Sequence, residues 1–259
     1  MKKTRVISFT NQKGGVGKTT CCFNVGAALS LCGLKVLFVD GDPQGDLSTM
    51  SGFKTLDEET VTLYDVLHGT DIHNAIQKKE SYSIIPSDEE LSLGEIDLVK
   101  KPRTVLQDAL EPIKKDFDYI LIDCPPSLNV LTLDALTASD EVIIPVQAQY
   151  LPLKGTARLK ETIEKIRSSL NPGLKIGGIV VTFYNSRRNL DQQVKESLET
   201  AFGAKVFETV ISHNTKVAEA PSYGQSIFEY APQSKGAEQY KLLAQEIAGK
   251  PSGGKHGKR

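Results

Sequence analysis

A glycine-rich segment near the start of the chain constrains the fold more than any other feature. Residues 13–19 read KGGVGKT, follow the apolar residues 6–9 and precede residues 21–31, which have a helical pattern. The order of strand, glycine-rich loop and helix is typical of a phosphate-binding loop (P-loop), because backbone N–H groups and a helix N-terminus attract anions. Glycine is needed because a Cβ would block the close approach of phosphates and disfavour positive φ angles. The segment therefore predicts a nucleotide site.

The P-loop has a deviant form. The strict pattern of Gly, four residues and Gly-Lys-Ser/Thr is not met, and an additional lysine, Lys13, opens the loop. We predict that Lys18 reaches the β- and γ-phosphates and that the Thr19 hydroxyl ligates Mg²⁺. The alternative, a glycine turn with incidental lysines, is disfavoured by the order of the flanking elements. The residues expected to contact the nucleotide are Lys13, Gly14, Gly15, Val16, Gly17, Lys18, Thr19 and Thr20.

Two further apolar runs end in aspartate. Residues 34–39 lead to Asp40 and Asp42, and residues 119–122 lead to Asp123. In parallel sheets, ligands bind outside the carboxyl ends of the strands, so these carboxylates are expected beside the P-loop. We predict that Asp123 holds Mg²⁺ in a Walker-B arrangement. Of Asp40 and Asp42, we predict that one supports the Mg²⁺ shell and the other orients the attacking water. The alternatives are a solvated Asp-rich turn and an aspartate that caps a helix.

Seven apolar runs alternate with helical patterns along the chain. Such alternation predicts an α/β fold with a doubly wound, mostly parallel sheet and helices on both faces, of the P-loop NTPase type. The predicted strands cover residues 5–10, 35–40, 82–86, 118–123, 141–146, 175–182 and 205–211, and the predicted helices cover residues 18–31, 89–100, 103–115, 127–137, 155–170, 190–202 and 235–248. Residues 52–87 are interpreted as helical excursions around one strand. We expect one domain over residues 1–248 and a disordered basic tail over residues 249–259.

The composition limits the class of protein. A formal net charge of −1 over 259 residues provides no global field for nucleic acid, so any DNA contact needs a local patch. The four cysteines have no CxxC spacing, which disfavours a zinc or iron–sulfur site, and we expect reduced thiols in a cytoplasmic protein. No apolar stretch approaches the roughly 20 residues that span a bilayer.

Several ordered motifs together resemble the ParA/Soj family of chromosome- and plasmid-partitioning ATPases. The resemblance covers about residues 3–248. The motifs that carry it are KGGVGKT at residues 13–19, DGDPQG at 40–45, DCPP at 123–126, EAPSYG at 219–224, YAP at 230–232 and SKGA at 234–237.

The resemblance implies an ATPase that uses Mg²⁺ and forms a homodimer with two ATP molecules between the subunits. In such a dimer Lys13 touches the partner's ATP, and the resemblance implies that Asp42 orients the attacking water and that Asp40 supports the Mg²⁺ shell. The dimer binds double-stranded DNA without sequence preference, here through Arg187 and Lys216, and a ParB-type partner stimulates slow hydrolysis. The family more often has Arg-Asn-x-Arg where this chain has His213 to Lys216, which weakens the expected DNA contact. The location implied is cytoplasmic and nucleoid-associated, without membrane binding.

Two other classes remain as alternatives. A Min-type membrane ATPase that positions cell division shares the P-loop, but it needs a C-terminal amphipathic helix, and residues 249–259 have no apolar residue beyond Pro251. A metabolic relative, such as a reductase iron protein or an amidotransferase-type synthetase, is disfavoured by the cysteine spacing and by the lack of a separate substrate domain. The adenine pocket is placed near Thr182 and residues 211–214.

Overall fold

The centre of the fold is a seven-stranded sheet. The computed structural model describes residues 3–53, 57, 59–148 and 152–249, without the side chains of residues 152–159. The strand order is β3-β4-β2-β5-β1-β6-β7, and every neighbouring pair is parallel except β3 and β4. The strands are β1 (Arg5–Phe9), β2 (Val36–Asp40), β3 (Gln77–Lys78), β4 (Ser83–Ile85), β5 (Tyr119–Asp123), β6 (Glu141–Gln147) and β7 (Lys175–Thr182).

Twelve α-helices surround the sheet within the described ranges. They are α1 (Lys18–Leu31), α2 (Asp46–Met50), α3 (Leu63–Leu67), α4 (Ile72–Ala75), α5 (Glu90–Leu98), α6 (Val105–Leu110), α7 (Val130–Ala138), α8 (Pro152–Ser169), α9 (Asn189–Phe202), α10 (Thr215–Glu219), α11 (Ile227–Tyr230) and α12 (Lys235–Ile247). No helix in this part of the chain is both long and apolar enough to cross a bilayer.

Both faces of the sheet are covered, which explains the continuous apolar strands. Along β2, Val36 and Phe38 pack on the side of α1 and α12, whereas Leu37 and Val39 pack on the side of α3, α5, α6 and α7. A third cluster joins β6 and β7 to α8 and α9. Strands buried on both faces lose the usual alternation of apolar and polar residues. The predicted doubly wound α/β fold is confirmed.

The predicted strand over residues 205–211 is wrong. The segment runs beside β7 but makes only isolated parallel bridges, from Val206 to Ile179 and from Ser212 to Tyr184. The physical reason is that the Glu246 carboxylate takes backbone donors which a strand would use for its ladder. The N–H groups of residues 208 and 209 each donate to this carboxylate at 2.9 Å. A continuous ladder therefore cannot form.

Two other local predictions need correction. Residues 52–87 contain two strands rather than one, because residues 77–78 turn back on β4 as a short antiparallel pair. The helix predicted over residues 103–115 is α-helical only in α6 and continues as a 3₁₀ helix, Glu111–Asp116. Pro112 lacks the N–H that an α-helix would use there. The predicted tail, residues 249–259, lies outside the described residues apart from Gly249.

Three central strands bring the sequence motifs to one edge. Asp123, the last residue of β5, is in register with Phe9 of β1 and with Asp40 of β2. The P-loop follows β1, so its glycines and both strand-terminal aspartates share the carboxyl end of the sheet. This edge is the crevice in which doubly wound folds bind ligands.

Candidate nucleotide site

The P-loop is shaped by positive backbone φ angles and anchored by side chains from distant strands. Gly15 has φ 69° and Gly17 has φ 84°, and α1 begins directly after Gly17 without a side-chain cap. Asn11 accepts a hydrogen bond from the Lys13 N–H at 3.0 Å and donates to a carbonyl of β6 at 2.7 Å. The Thr182 hydroxyl donates to the Val16 carbonyl at 2.8 Å. The loop is therefore held open with its helix N-terminus free for an anion.

Asp123 is a buried carboxylate that lacks a protein hydrogen-bond partner of ordinary geometry among the described residues. Its side chain is fully buried, and neither oxygen accepts such a bond. Burial raises the pKa of Asp123 well above its usual range, the Asp40 charge raises it further, and the Thr19 hydroxyl and Lys18 ammonium lower it. A buried charge of this kind is costly unless a cation or a proton compensates it. Asp123 and Thr19 therefore have the position and chemistry of Mg²⁺ ligands.

The donor set also fits the metal. No group of three or more His, Cys, Asp or Glu side chains in the described ranges could hold a metal ion alone. Mg²⁺ does not require one, since proteins usually bind it with one or two carboxylates, waters and the substrate's phosphates. The residues here fit a metal that arrives with a nucleotide.

Asp40 organises the loop that follows β2. One of its oxygens accepts hydrogen bonds from the Ser48 N–H at 2.7 Å and the Ser48 hydroxyl at 2.6 Å, and the other accepts from the Asp42 N–H at 3.3 Å. Burial, opposed by these bonds, raises the pKa of Asp40 to about 7. Gly41 is required beside it, because a Cβ there would lie 2.6 Å from the Asp123 carbonyl oxygen. Sequence reasoning missed Ser48, which no motif marks.

Asp42 projects into the same cleft. It is 6% exposed, and one carboxylate oxygen accepts a hydrogen bond from the Gln44 N–H at 3.1 Å. The second oxygen has no such bond to a described residue. Asp42 thus combines a fixed orientation with a free acceptor, which suits a residue that positions water.

A cleft of about 520 Å³ is lined by the P-loop, by Thr19 and by Asp42. Such a volume falls in the range of ordinary small-ligand sites. Polar groups of the P-loop line one end, and the apolar end includes Phe183, Ile211 and Val217. The backbone of Phe183 has φ 52°, an uncommon value for an aromatic residue, and its ring lies 6.1 Å from the His213 ring. Thr182 and residues 211–214, near which the adenine pocket is predicted, line this cleft.

Lys13 lies at the margin of the site. Its side chain is exposed, and its ammonium donates to the Gln147 side chain at the end of β6, at 3.3 Å. Lys18, by contrast, is 7% exposed and lines the cleft. The two lysines of the P-loop therefore have different surroundings.

The two predicted DNA-binding residues follow segments that are bridged to each other. Arg187 comes shortly after Tyr184 in the sequence, and Lys216 comes shortly after Ser212. Tyr184 and Ser212 form a parallel backbone bridge. Both side chains are exposed. Lys216 pairs with Glu219 at 2.9 Å, and this pairing, which is mostly a hydrogen bond, raises the pKa of Lys216.

Comparison with known proteins gives consistent results. The sequence model of a family described as "AAA domain" matches residues 4–176. The chain is 46% identical to the chromosome partitioning protein ParA of Caulobacter vibrioides over 250 residues, covering 94% of this chain and 93% of that protein. It is 44% identical to the chromosome-partitioning ATPase Soj of Treponema pallidum, covering 95% and 97% respectively.

Solved structures share the fold. Cobyrinic acid a,c-diamide synthase from Mycobacterium smegmatis, with bound ADP and magnesium, has a TM-score of 0.83 and 33% identity, covering 95% of this chain and 94% of that one. The cell division ATPase MinD from Pyrococcus furiosus has a TM-score of 0.78 and 29% identity, covering 96% and 99%.

Proposed function

Because this chain belongs to the ParA/Soj family of chromosome-partitioning ATPases, we propose that it is an ATP-dependent switch for DNA segregation. Its ATP-bound homodimer binds double-stranded DNA without sequence preference, and a ParB-type partner releases it by stimulating hydrolysis. One observation carries the proposal, namely the buried Asp123 carboxylate, which lies beside Thr19 and Lys18 of the P-loop and lacks a hydrogen bond of ordinary geometry to a described residue. The location that follows is cytoplasmic and nucleoid-associated.

The roles of the residues follow from their positions. ATP is the nucleotide and Mg²⁺ its metal, which supplies charge neutralisation at the phosphates when bound. Lys18 and the backbone N–H groups at the start of α1 hold the phosphates, while Thr19 and Asp123 hold the metal. Asp40 fixes the loop that carries Asp42, and the free oxygen of Asp42 orients the attacking water.

Lys13 is assigned to the partner's nucleotide. It lies outside the cleft of its own subunit, on the exposed edge of the P-loop, where a second subunit facing this edge would meet it. A lysine delivered in trans neutralises phosphate charge and makes dimerisation depend on ATP.

The DNA surface consists of Arg187, Lys216 and their copies in the second subunit. A dimer doubles a weak basic patch, so a chain with net charge −1 can bind a polyanion only when ATP joins two subunits. The pairing of Lys216 with Glu219 reduces its contribution, so Arg187 is expected to be the stronger contact.

A Min-type membrane ATPase is the second candidate, and the similarity in fold to MinD from Pyrococcus furiosus is the observation that favours it. The higher identity to chromosome-partitioning proteins ranks it lower. Sedimentation with anionic lipid vesicles in the presence of ATP tests it directly, and robust binding would reverse the order.

Sedimentation with non-specific duplex DNA tests the leading proposal. The protein is compared with ATP, with ADP and without nucleotide, alongside Arg187→Ala and Lys13→Ala. We expect binding only with ATP, lost in both variants and weakened by salt. Absence of DNA binding under all conditions, with dimerisation intact, would mean that the output is a protein or membrane surface.

A further inference from the structure

The helix after β4 presents an apolar face to solvent. Leu93 is 68% exposed, Ile96 is 70% exposed and Val99, the residue that ends α5, is 69% exposed. We call these three residues the α5 outer face. Eight large hydrophobic side chains are exposed in the described part of the chain, and three of them lie here. A cluster of this kind marks an interaction site more often than scattered exposed residues do.

The helix cannot rotate to hide this face, because its opposite side is already packed. Leu91 and Leu98 are fully buried. At Gly94, an added Cβ would lie 3.0 Å from the Tyr64 ring and 3.1 Å from the His68 ring, so α5 touches α3 closely. The α5 outer face is therefore available only to a partner.

The charges around the α5 outer face indicate the charge of the partner that would bind it. Residues 88–101 contain five acidic side chains, at positions 88, 89, 90, 95 and 97, and two basic ones, at positions 100 and 101. Such a rim repels DNA and anionic lipid, and it would repel its own copy across a two-fold axis. A helix or extended segment with apolar and cationic residues complements both the α5 outer face and the acidic side chains around it.

The face is also linked to the nucleotide site. The Glu95 side chain, on α5, accepts a hydrogen bond from the Asn129 side chain at 2.5 Å. Asn129 caps α7 by accepting from the Thr132 N–H at 3.2 Å, and it ends the segment of residues 124–129 that follows Asp123. Pro126 in that segment lines the nucleotide cleft.

A second contact holds the C-terminal end of α5. Arg103 donates to the carbonyls of Leu98 and Lys101 and pairs with the buried Asp134 of α7 at 3.1 Å. Two contacts, one at Glu95 and one through Arg103, thus connect the C-terminal half of α5 to α7 and to the segment after Asp123.

We propose that the α5 outer face is the docking surface for a cationic, amphipathic segment of a partner protein, and that the Glu95–Asn129 contact transmits docking to residues 124–129. The idea that docking alters hydrolysis rests on the proposed function, whereas the docking surface itself does not.

The test uses the full chain and a synthetic amphipathic peptide of about 18 residues made of Leu and Lys. A Leu and Glu peptide of the same pattern is the charge control. Fluorescence anisotropy is measured for the wild type, for Leu93→Ser with Ile96→Ser, and for Glu89→Lys with Asp97→Lys. Leu31→Ser is the matched control, since Leu31 is 65% exposed on α1.

We expect the Leu and Lys peptide to bind the wild type and the Leu31 variant equally, and both double variants to bind at least about tenfold more weakly. Equal binding by the Leu93 and Ile96 variant, or equal binding of the Leu and Glu peptide, would overturn the proposal. Loss of the ATP-bound dimer in that variant would assign the face to a second copy instead, and loss of vesicle binding would assign it to a membrane. DNA binding with ATP is measured in the same samples, so a failure of the proposed function is seen separately.

Discussion

Replacing Asp123 by asparagine should stabilise the nucleotide-free protein while destroying its function. In the folded chain the carboxylate is fully buried and has no hydrogen bond of ordinary geometry to a described residue. An unsatisfied buried group costs roughly 1–3 kcal/mol, and more when it is charged. Asparagine has almost the same shape and cannot ionise. We therefore expect the free energy of unfolding without nucleotide to rise by about 2 kcal/mol at pH 8.

The pH dependence has a definite sign. Because burial raises the pKa of Asp123, the folded chain binds this proton more tightly than the unfolded chain does. The free energy of unfolding should then fall as the pH rises above the ordinary aspartate pKa of about 3.9, until the folded-state pKa is passed. The asparagine variant should lose part of this slope.

Urea denaturation at several pH values, with and without ATP and Mg²⁺, measures both effects. Asp134→Asn is the matched control, because Asp134 is also buried without a hydrogen bond of ordinary geometry to a described residue but forms an ion pair with Arg103 at 3.1 Å. Breaking that pair should destabilise the chain by about 3 kcal/mol. ATP and Mg²⁺ should stabilise the wild type and the Asp134 variant but not the Asp123 variant. A lower free energy of unfolding for Asp123→Asn without nucleotide would show that the buried carboxylate of Asp123 does not destabilise the folded chain.

Four further predictions concern the P-loop, the loop that follows β2 and the DNA surface. Lys18→Ala should abolish binding of a fluorescent ATP analogue, measured by titration, because the main cationic contact of the cleft is lost. Asp42→Ala should slow ATP turnover by at least about 100-fold and hold the dimer on DNA, so normal phosphate release would show that Asp42 is misassigned. Glu219→Gln should free Lys216 and strengthen DNA binding about twofold at low salt. Lys216→Ala should reduce the salt slope by about 1, and an unchanged slope would remove Lys216 from the interface.

Features encoded by contiguous residues were predictable. The strand, loop and helix around Gly17 lie next to each other in the sequence, so their order is visible without a structure. The runs that end at Asp40 and Asp123 were placed at one edge of the sheet because buried parallel strands have an unmistakable apolar character.

Contacts between distant segments were not predictable. Thr182 supports the P-loop from 166 residues away, and Glu246 removes the donors that would have made residues 205–211 a strand. The positive φ of Phe183 could not be predicted from the sequence, because glycine is the residue whose presence usually indicates such a conformation. In each case a side chain or backbone angle set by tertiary packing overrides the local pattern.

The roles of Asp42 and Lys13 remain predictions, and so do the dimer and the DNA surface. They share one premise, that ATP joins two subunits through the P-loop edge. Light scattering on the eluate of a sizing column tests this premise most directly.

The sample for this measurement is Asp42→Ala, in which hydrolysis should be slow, with ATP and Mg²⁺ or with ADP and Mg²⁺. We expect twice the monomer mass with ATP and the monomer mass with ADP. When Lys13→Ala is added, we expect the monomer mass with either nucleotide. A monomer with ATP would contradict this expectation, and so would a dimer whose mass is the same with ATP, with ADP and after Lys13→Ala.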